Sequence, residues 1–553
     1  MTWRPPSDCF PLFPLVYFSP YLTMQRQQSL AKLKERSEPW DIVIIGGGAT
    51  GVGIAMDAAS RGLNCLLLEQ ADFGKGTSSR STKLVHGGVR YLQQGNITLV
   101  RDALKERTLL RNNAPQLVHD MPFLIPCQSR WERMYYAIGL KVYDFLATGN
   151  RFGRSHVISQ KESLERVPTI KTEKANGGVI YHDGQFDDTR LLISMARTAD
   201  EQGACLLNYF AVTDLSKDAR GDIDGVVAED RETGETHSIM ARRVINAAGP
   251  FCDAVRMMDE PAAEKMLAAS QGVHIVLPRR FFPGDIAMIV PKTSDGRVLF
   301  IIPWHNHAVV GTTDTAIENV SLEPKPQAGE IEFLLETAKE YLVEAPTRSD
   351  VLSVFTGIRP LVKGDKSSRT ASLSRDHTIR LSDSGLITIT GGKWTTVRKM
   401  AEDCVDRALA STKNSANPLK ANACQTETLH LHGYDPNSGS TNTVAGSGRG
   451  HYGSDLSEIE SLEREHVEWA SPLHHELSIT GAEVIWATRY EMARTVEDVL
   501  ARRTRCLFLN SAAAIAISET VARLMASELD RDEAWISAQV ASFAKLSEAY
   551  RIG

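Results

Sequence analysis

Gly46, Gly48 and Gly51 stand on the G-x-G-x-x-G spacing within DIVIIGGGATGVGIAMDAASRGLNCLLLE, residues 41–69. Glycines so spaced do three things around a pyrophosphate. The first permits a tight turn, the second lets backbone approach the ligand, and the third lets the next helix pack close to its strand. Glu69 comes 23 residues after Gly46, where a carboxylate would hold the ribose hydroxyls of an adenosine. Further on, GIRPL at 357–361 and SRDHTI at 374–379 present Arg359 and Arg375, and GGKWTT presents Lys393. A guanidinium fork matches phosphate or carboxylate oxygens bidentately, so two arginines and a lysine suit an anionic ligand. Either arginine taken alone reads more simply as a surface ion pair.

The elements that must position these residues follow from local pattern. Asp41 to Ile45 is an apolar, β-branched run, as a buried parallel strand requires. Residues 50–61 read as a helix with small Ala55, Ala58 and Ala59 for close packing, its N-terminal N–H groups facing the phosphates. Cys65 to Leu68 is the second strand. Residues 204–217, 223–229 and about 237–244 look like further strands, and VINAAGP at 244–250 brings the backbone of Ala248 and Gly249 beside the nucleotide. The β-like run Val351 to Phe355 places Arg359 just after a strand, with Pro360 stiffening a turn. GLITITGGKWTTVRKMAED reads as strand, Gly391–Gly392, and a helix beginning near Thr395. That helix would aim its N-terminus at the carbonyl edge of a flavin, with Lys393 at its entry.

Residues 74–92, GKGTSSRSTKLVHGGVRYL, decide between NAD and FAD. An NAD domain would continue with another βαβ crossover, whereas this is a polar, glycine-rich loop. Ser78, Ser79, Thr82 and Lys83 could donate to a second phosphate and the flavin edge, with Leu84 opening an inward-facing stretch. His86, Arg90 and Tyr91 follow at a turn that could face a substrate. FAD is therefore the expected cofactor.

HGGVRYL, GTTDT (311–315), GIRPL, SRD and GGKWTTVRKMAE together resemble the FAD-dependent glycerol-3-phosphate dehydrogenase family, from about residue 40 to the C-terminus, with residues 415–475 less well covered. The resemblance implies oxidation of sn-glycerol 3-phosphate to dihydroxyacetone phosphate, with electrons passed to a membrane quinone. It implies an α/β, FAD-binding, Rossmann-like two-dinucleotide-binding fold with an interleaved β-rich substrate lobe and a C-terminal helical domain. It places Arg359 and Arg375 on the substrate, with Arg90, Tyr91 and Lys393 at other active-site positions. His274, in QGVHIVLP, becomes the candidate general base, since a neutral imidazole can take the C2 hydroxyl proton. A histidine satisfied within an apolar strand is the competing reading. Trp394 stands where many relatives carry a smaller residue. A homodimer is compatible with the resemblance. So is an oxidase that returns its electrons to oxygen, because the motifs do not dictate what reoxidises the flavin. Amino-acid oxidases of the same fold lack a phosphate to bind, which the clustered cations argue against.

Composition limits the remaining classes. Hydrophobic residues make up 42% and charged residues 24%, an ordinary globular balance, and the net charge of −6 disfavours nucleic acid as main partner. The eight cysteines are scattered without a C-x-x-C pair, and no EF-hand loop occurs, so no metal site is expected and a reducing, cytoplasmic setting fits. No stretch supplies the roughly 20 apolar residues of a membrane span. The apolar segment 10–22 is broken by Pro11, Pro14 and Pro20 and makes a poor signal peptide; translation is expected to start at Met24. A quinone-linked enzyme of this kind would lie on the cytoplasmic face of the membrane as a monotopic protein. Residues 129–154 are the candidate contact, with Trp131, Met134, Tyr135, Ile138, Val142 and Phe145 in one helical stripe among Arg130, Arg133, Lys141, Arg151 and Arg154. A helix packed on the core is the plainer alternative. The expected domains are an N-terminal extension, partly disordered, at 1–40; the FAD and substrate unit at 41–424; a flexible Gly/Ser/Asn-rich linker at 425–455; and a helical domain at 456–553, with helical periodicity over 456–470, 478–502 and 510–548.

Overall fold

The computed structural model describes residues 24–89, 92, 96–150, 152–293, 296–363, 377–413, 417–437 and 448–552. Arg90, Tyr91, Arg375 and the segment before Met24 lie outside the described residues.

Two sheets carry the fold. The first has six strands in the order His377–Leu381, Ile387–Gly391, Val244–Asn246, Ile42–Ile45, Cys65–Leu68 and Cys205–Leu207. All neighbours are parallel except His377–Leu381, which runs antiparallel at the edge. Its central strands are apolar throughout because both faces are covered. Ile42, Ile44, Leu67 and Ile387 turn toward the helices Ala49–Ser60, Asp188–Glu201 and Val397–Thr412. Val43, Ile45, Leu66 and Val244 turn toward a three-stranded antiparallel sheet of Phe210–Lys217, Ile223–Asp230 and Thr236–Met240.

The second sheet has ten strands, eight on its main path and two paired off it, and forms the substrate lobe. Its spine is Leu267–Pro278, paired antiparallel with Ser353–Val362 along one edge and with His307–Gly311 and Thr315–Ala316 along the other. Arg359 and Pro360 therefore lie inside a strand, opposite Ser270 and Ala269, and not on the turn after it. Pro360 is tolerated because Ser353–Val362 pairs on one side among the described residues, so no second ladder needs its missing N–H.

Residues 24–40 are not an extension. The helix Arg26–Glu35 packs on Cys205–Leu207, and Arg26 is buried with Nη2 donating to Asp230 at 2.6 Å and Nε to the Asn208 carbonyl at 3.2 Å. Nor are the described parts of 425–455 a free linker. The Leu431 N–H donates to the Asn113 carbonyl at 2.9 Å, His432 bridges Glu201 and Asp455, and Tyr452 is buried beneath Arg190. Composition suggested mobility there, but ion pairs with distant residues fix the chain.

The C-terminal helices Gly481–Tyr490, Ser511–Leu529 and Glu533–Ser547 share a core with Val276, Trp304 and Phe355 of the ten-stranded sheet, and Leu456–Glu465 packs through Ile459 against Ala482 and Trp486. The helical pattern expected from 478 begins at Gly481, after a short strand Leu477–Thr480, where Thr480 and Glu483 form a capping box. Buried charge joins these helices to the first sheet. Arg503 donates to both oxygens of Asp72 at 2.7 and 2.9 Å, Arg502 also reaches Asp72, and Arg190 grips Glu491 at 2.7 Å through each nitrogen of its fork. Burial alone would raise the Asp72 carboxyl, but Arg503 and Arg502 overcome it and hold it down at about 2.

Candidate active site

Two adjoining cavities lie between the sheets. The larger, about 310 Å³, runs from Glu69 and Gln70, past Gly46, Gly48, Ser78, Ala248 and Gly249, to Gly391, Gly392 and Lys393. The smaller, about 250 Å³, is lined by Thr82, Leu84, His86, His274, Arg359 and Thr395, among others. Thr77, Pro360 and Gly391 to Trp394 border both.

The glycines divide their work as their spacing implies. Gly46 has φ +110°, and a Cβ there would come 2.7 Å from the Ala247 carbonyl oxygen. A Cβ on Gly51 would run into the Gly46 carbonyl oxygen, so Gly51 lets the helix Ala49–Ser60 seat directly on the turn. Gly48 faces the cavity with only the Ser78 hydroxyl near, 3.2 Å from a built Cβ. Ser78 Oγ accepts from the Ala49 N–H at 2.9 Å, capping the helix start from across the loop. Glu69 accepts from the N–H groups of Gly47 at 2.6 Å and Ala71 at 2.9 Å, and burial raises its carboxyl above the usual range. A cleft with open backbone at one end, a carboxylate beside it and a helix N-terminus over it fits an adenine dinucleotide. At the far end Gly391 and Gly392 take φ +81° and +76°, swinging the chain into the turn Trp394–Thr396 and the helix Val397–Thr412. FAD held there would lie along Gly46 to Gly51, with its ring end toward Gly391 to Thr395.

In the smaller cavity, His274 sits in the spine strand, 2% exposed and stacked on Phe355 at 4.7 Å. Its Nε2 lies 3.0 Å from the Thr82 hydroxyl. Burial, reinforced by Lys83 and Arg359, holds the imidazole well below its ordinary value, so it is neutral near pH 7. Arg359 is aimed by the loop before Thr315–Ala316: Nη2 donates to Thr312 Oγ1 at 3.1 Å and to the Thr313 carbonyl at 3.0 Å, and Nη1 to Asp314 at 3.2 Å. GTTDT thus supplies the residues that orient Arg359, which the sequence pattern contained without assigning. Trp394 locks the junction, its indole N–H donating to the Ser78 carbonyl at 2.9 Å and its ring meeting Phe186 edge-on.

Two expected cofactor ligands are placed differently. Lys83 is fully buried outside both cavity walls, donating to Asp188 at 2.6 Å and the Ser79 carbonyl at 2.7 Å beneath Trp304, Phe355 and Phe508. Ser79 is buried behind the same wall, its hydroxyl turned to the Gly76 carbonyl. The buried carboxylate of Asp188, remote in sequence, captures the lysine that local pattern assigned to a phosphate.

A model of FAD dependent oxidoreductases matches residues 41–398, and a model of the C-terminal domain of alpha-glycerophosphate oxidase matches 388–536. The mitochondrial glycerol-3-phosphate dehydrogenase of Arabidopsis thaliana is 41% identical, over 91% of this chain and 85% of its own length. The chain belongs to the FAD-dependent glycerol-3-phosphate dehydrogenase family. The human mitochondrial glycerol-3-phosphate dehydrogenase is 40% identical over 92% of this chain and 73% of its own. The glycerol-3-phosphate dehydrogenase of Bacillus halodurans, solved in complex with FAD, superposes with a TM-score of 0.75 at 30% identity, covering 95% of this chain and 98% of that one. FAD is the cofactor of this dehydrogenase family member.

Gly51→Ala should yield folded protein with little bound FAD, whereas Gly53→Ala, whose new methyl meets Met195 and Val397 at an ordinary 3.4 Å, should stay loaded. Flavin content of the purified proteins checks this; a fully loaded Gly51→Ala would contradict the close-packing role.

Proposed function

We infer that this chain oxidises the C2 hydroxyl of sn-glycerol 3-phosphate to the ketone of dihydroxyacetone phosphate and passes the electrons to a quinone at a membrane surface. FAD in the larger cavity supplies the acceptor for the hydride that leaves C2. The observation that carries the reading is the smaller cavity, where Arg359 and Lys393 stand beside a neutral, buried His274 at the flavin end of the cleft.

Arg359 supplies the positive charge for the phosphate, its guanidinium held in one orientation by Thr312, Thr313 and Asp314. Lys393 stands where it can stabilise negative charge on the substrate or along the ring edge. His274 receives the hydroxyl proton, since only its neutral form has a lone pair to offer. The family pattern assigns Arg90, Tyr91 and Arg375 to the same substrate. Ser78, Gly46, Gly48, Glu69, Ala248, Gly249, Gly391 and Gly392 border the FAD cleft, with Leu84, Thr82 and Thr395 at its junction with the substrate cavity.

The helix Arg130–Leu146 supports the membrane part of the reading. Trp131, Tyr135, Ile138 and Phe145 are 76, 60, 61 and 73% exposed, and Met134 and Val142 project along the same stripe. Leu140 and Tyr143 anchor the opposite face in the protein. Six large apolar side chains in water on one helix, flanked by exposed Arg130, Lys141 and Arg154, match an interfacial helix. No helix among the described residues is long and apolar enough to cross a membrane. The proposed location is therefore peripheral, on the cytoplasmic face of a membrane; the Arabidopsis and human relatives named above are mitochondrial. Reoxidation by oxygen is the second reading, favoured by the match of residues 388–536 to the oxidase C-terminal model.

Arg359→Ala should raise KM for sn-glycerol 3-phosphate and lower kcat, a combined loss in kcat/KM of about 10²–10³-fold with FAD still bound, as expected for removing a charge-assisted anchor. Near-normal steady-state kinetics would remove Arg359 from the phosphate. Changing Trp131, Met134 and Tyr135 together to Ser should abolish flotation with anionic phospholipid vesicles and slow reduction of membrane-dissolved quinone, while reduction by substrate in solution continues. Undiminished flotation would reject the interfacial helix, and fast reoxidation by oxygen with peroxide release would move the activity to the oxidase class.

A further inference from the structure

We propose that Thr82 is a catalytic proton relay, standing between the substrate hydroxyl and His274; the inference rests on reading His274 as the base. His274 is 2% exposed, its Nδ1 is buried without a hydrogen-bond partner, and its Nε2 is covered by the Thr82 hydroxyl at 3.0 Å. A hydrogen-bonded path from the cavity to the ring therefore runs through Thr82. Thr82 is half-buried, lines the same cavity, and places its hydroxyl on the one ring nitrogen that has a partner. A hydroxyl both donates and accepts, so Thr82 can take one proton while giving another.

The bonds on either side of Thr82 are fixed. A single carboxylate oxygen of Asp188 accepts from the Ser81 N–H at 3.2 Å, the Ser81 hydroxyl at 2.7 Å and the Lys83 ammonium at 2.6 Å. Ser81 Oγ also accepts from the Lys83 N–H at 3.0 Å, and Lys83 is held at φ +63°, a left-handed conformation unfavourable for a side-chain-bearing residue. Both neighbours of Thr82 are thus pinned to one buried anion, and the tension in the Lys83 backbone is sustained by that anchorage. The effect is a hydroxyl held in register with His274, as proton transfer through two short hydrogen bonds demands.

In the relay the ring is the Nδ1–H tautomer and Nε2 accepts. The substrate O–H bond breaks toward Thr82 Oγ as the Thr82 proton passes to His274 Nε2. The electron pair left on the substrate oxygen forms the C2=O bond while the C2–H pair departs as hydride to FAD. Thr82 ends as the hydroxyl it began, and His274 ends as an imidazolium. Lys83 and Arg359, together with burial, make that cation unfavourable, so the proton is handed back through Thr82 to water once product leaves.

The test uses the FAD-loaded full chain with Thr82→Val, Thr82→Ser, His274→Gln and the Thr82→Val/His274→Gln double variant. Thr82→Val is nearly isosteric and lacks only the hydroxyl. It should lower kcat by about 10²-fold or more, the range of a lost acid–base path, with FAD content retained and KM little changed. Thr82→Ser should recover most of the rate. The double variant should be no slower than the slower single, because the two groups act on one proton. Thr82→Val should also lose the acid limb of the kcat profile, which for the parent lies below pH 6.5 because the His274 site keeps the imidazole neutral down to there. Normal kcat in Thr82→Val with a slow His274→Gln overturns the relay and leaves His274 as the base; normal kcat in both removes His274 as well. Loss of FAD from Thr82→Val, or multiplicative losses in the double variant, equally overturns the relay.

Discussion

Buried ion pairing beneath the segment from Gln70 to Lys83 is the interaction on which the site depends. That segment holds one short 3-10 turn, Thr77–Ser79, yet it walls both cavities. Backbone without a ladder must be fixed by other means, and here charge does it. Asp72 meets Arg502 and Arg503, Lys75 meets Glu497 at 2.7 Å, Arg80 meets Glu323 at 2.7 Å, and Lys83 meets Asp188 at 2.6 Å. Removing one partner of such a pair leaves an uncompensated buried charge, which costs about 3–5 kcal/mol. The partners come from the C-terminal helical region, from the loop before Ala328–Tyr341 and from the start of Asp188–Glu201. The C-terminal helices are thereby part of the active-site scaffold, although none of their residues lines the two cavities described.

A second constraint comes from the pairing of Leu267–Pro278 with Ser353–Val362. Antiparallel register sets Arg359 opposite Ser270 and His274 opposite Phe355, so the cation and the imidazole are delivered to one cavity by adjacent strands. The fixed alternation of side chains makes this geometry insensitive to loop motion, which suits groups that must hold position to a fraction of an ångström. Gly391 to Trp394 then form the shared boundary of the two cavities, placing whatever occupies one directly against the occupant of the other.

What the sequence disclosed was what local spacing encodes. The strand, turn and helix around Gly46, Gly48 and Gly51 were legible because their geometry is written within about thirty consecutive residues. The stripe from Trp131 to Phe145 was legible because helical period and side-chain type agree, and the exposed residues are the six that the period picks out. Long-range partners were not legible. Lys83 reads as a phosphate donor until Asp188 is seen beside it, 105 residues away. The Gly/Ser-rich composition near 433–455 says nothing of the ion pairs that tie His432 to Glu201 and Asp455. Pro360 signals a turn unless the strand is known to be paired on one side, which is a property of the sheet. The contact between Thr82 and His274 is likewise invisible to local pattern, because the two lie 192 residues apart.

Anaerobic reduction of the FAD-loaded protein tests the assignment of the two cavities most directly. Mixed with sn-glycerol 3-phosphate without oxygen, the bound flavin should bleach, and glycerol, which offers Arg359 and Lys393 no phosphate, should leave it oxidised. An unchanged spectrum with sn-glycerol 3-phosphate, or equal bleaching by glycerol, would contradict a phosphate-anchored alcohol oxidised beside His274.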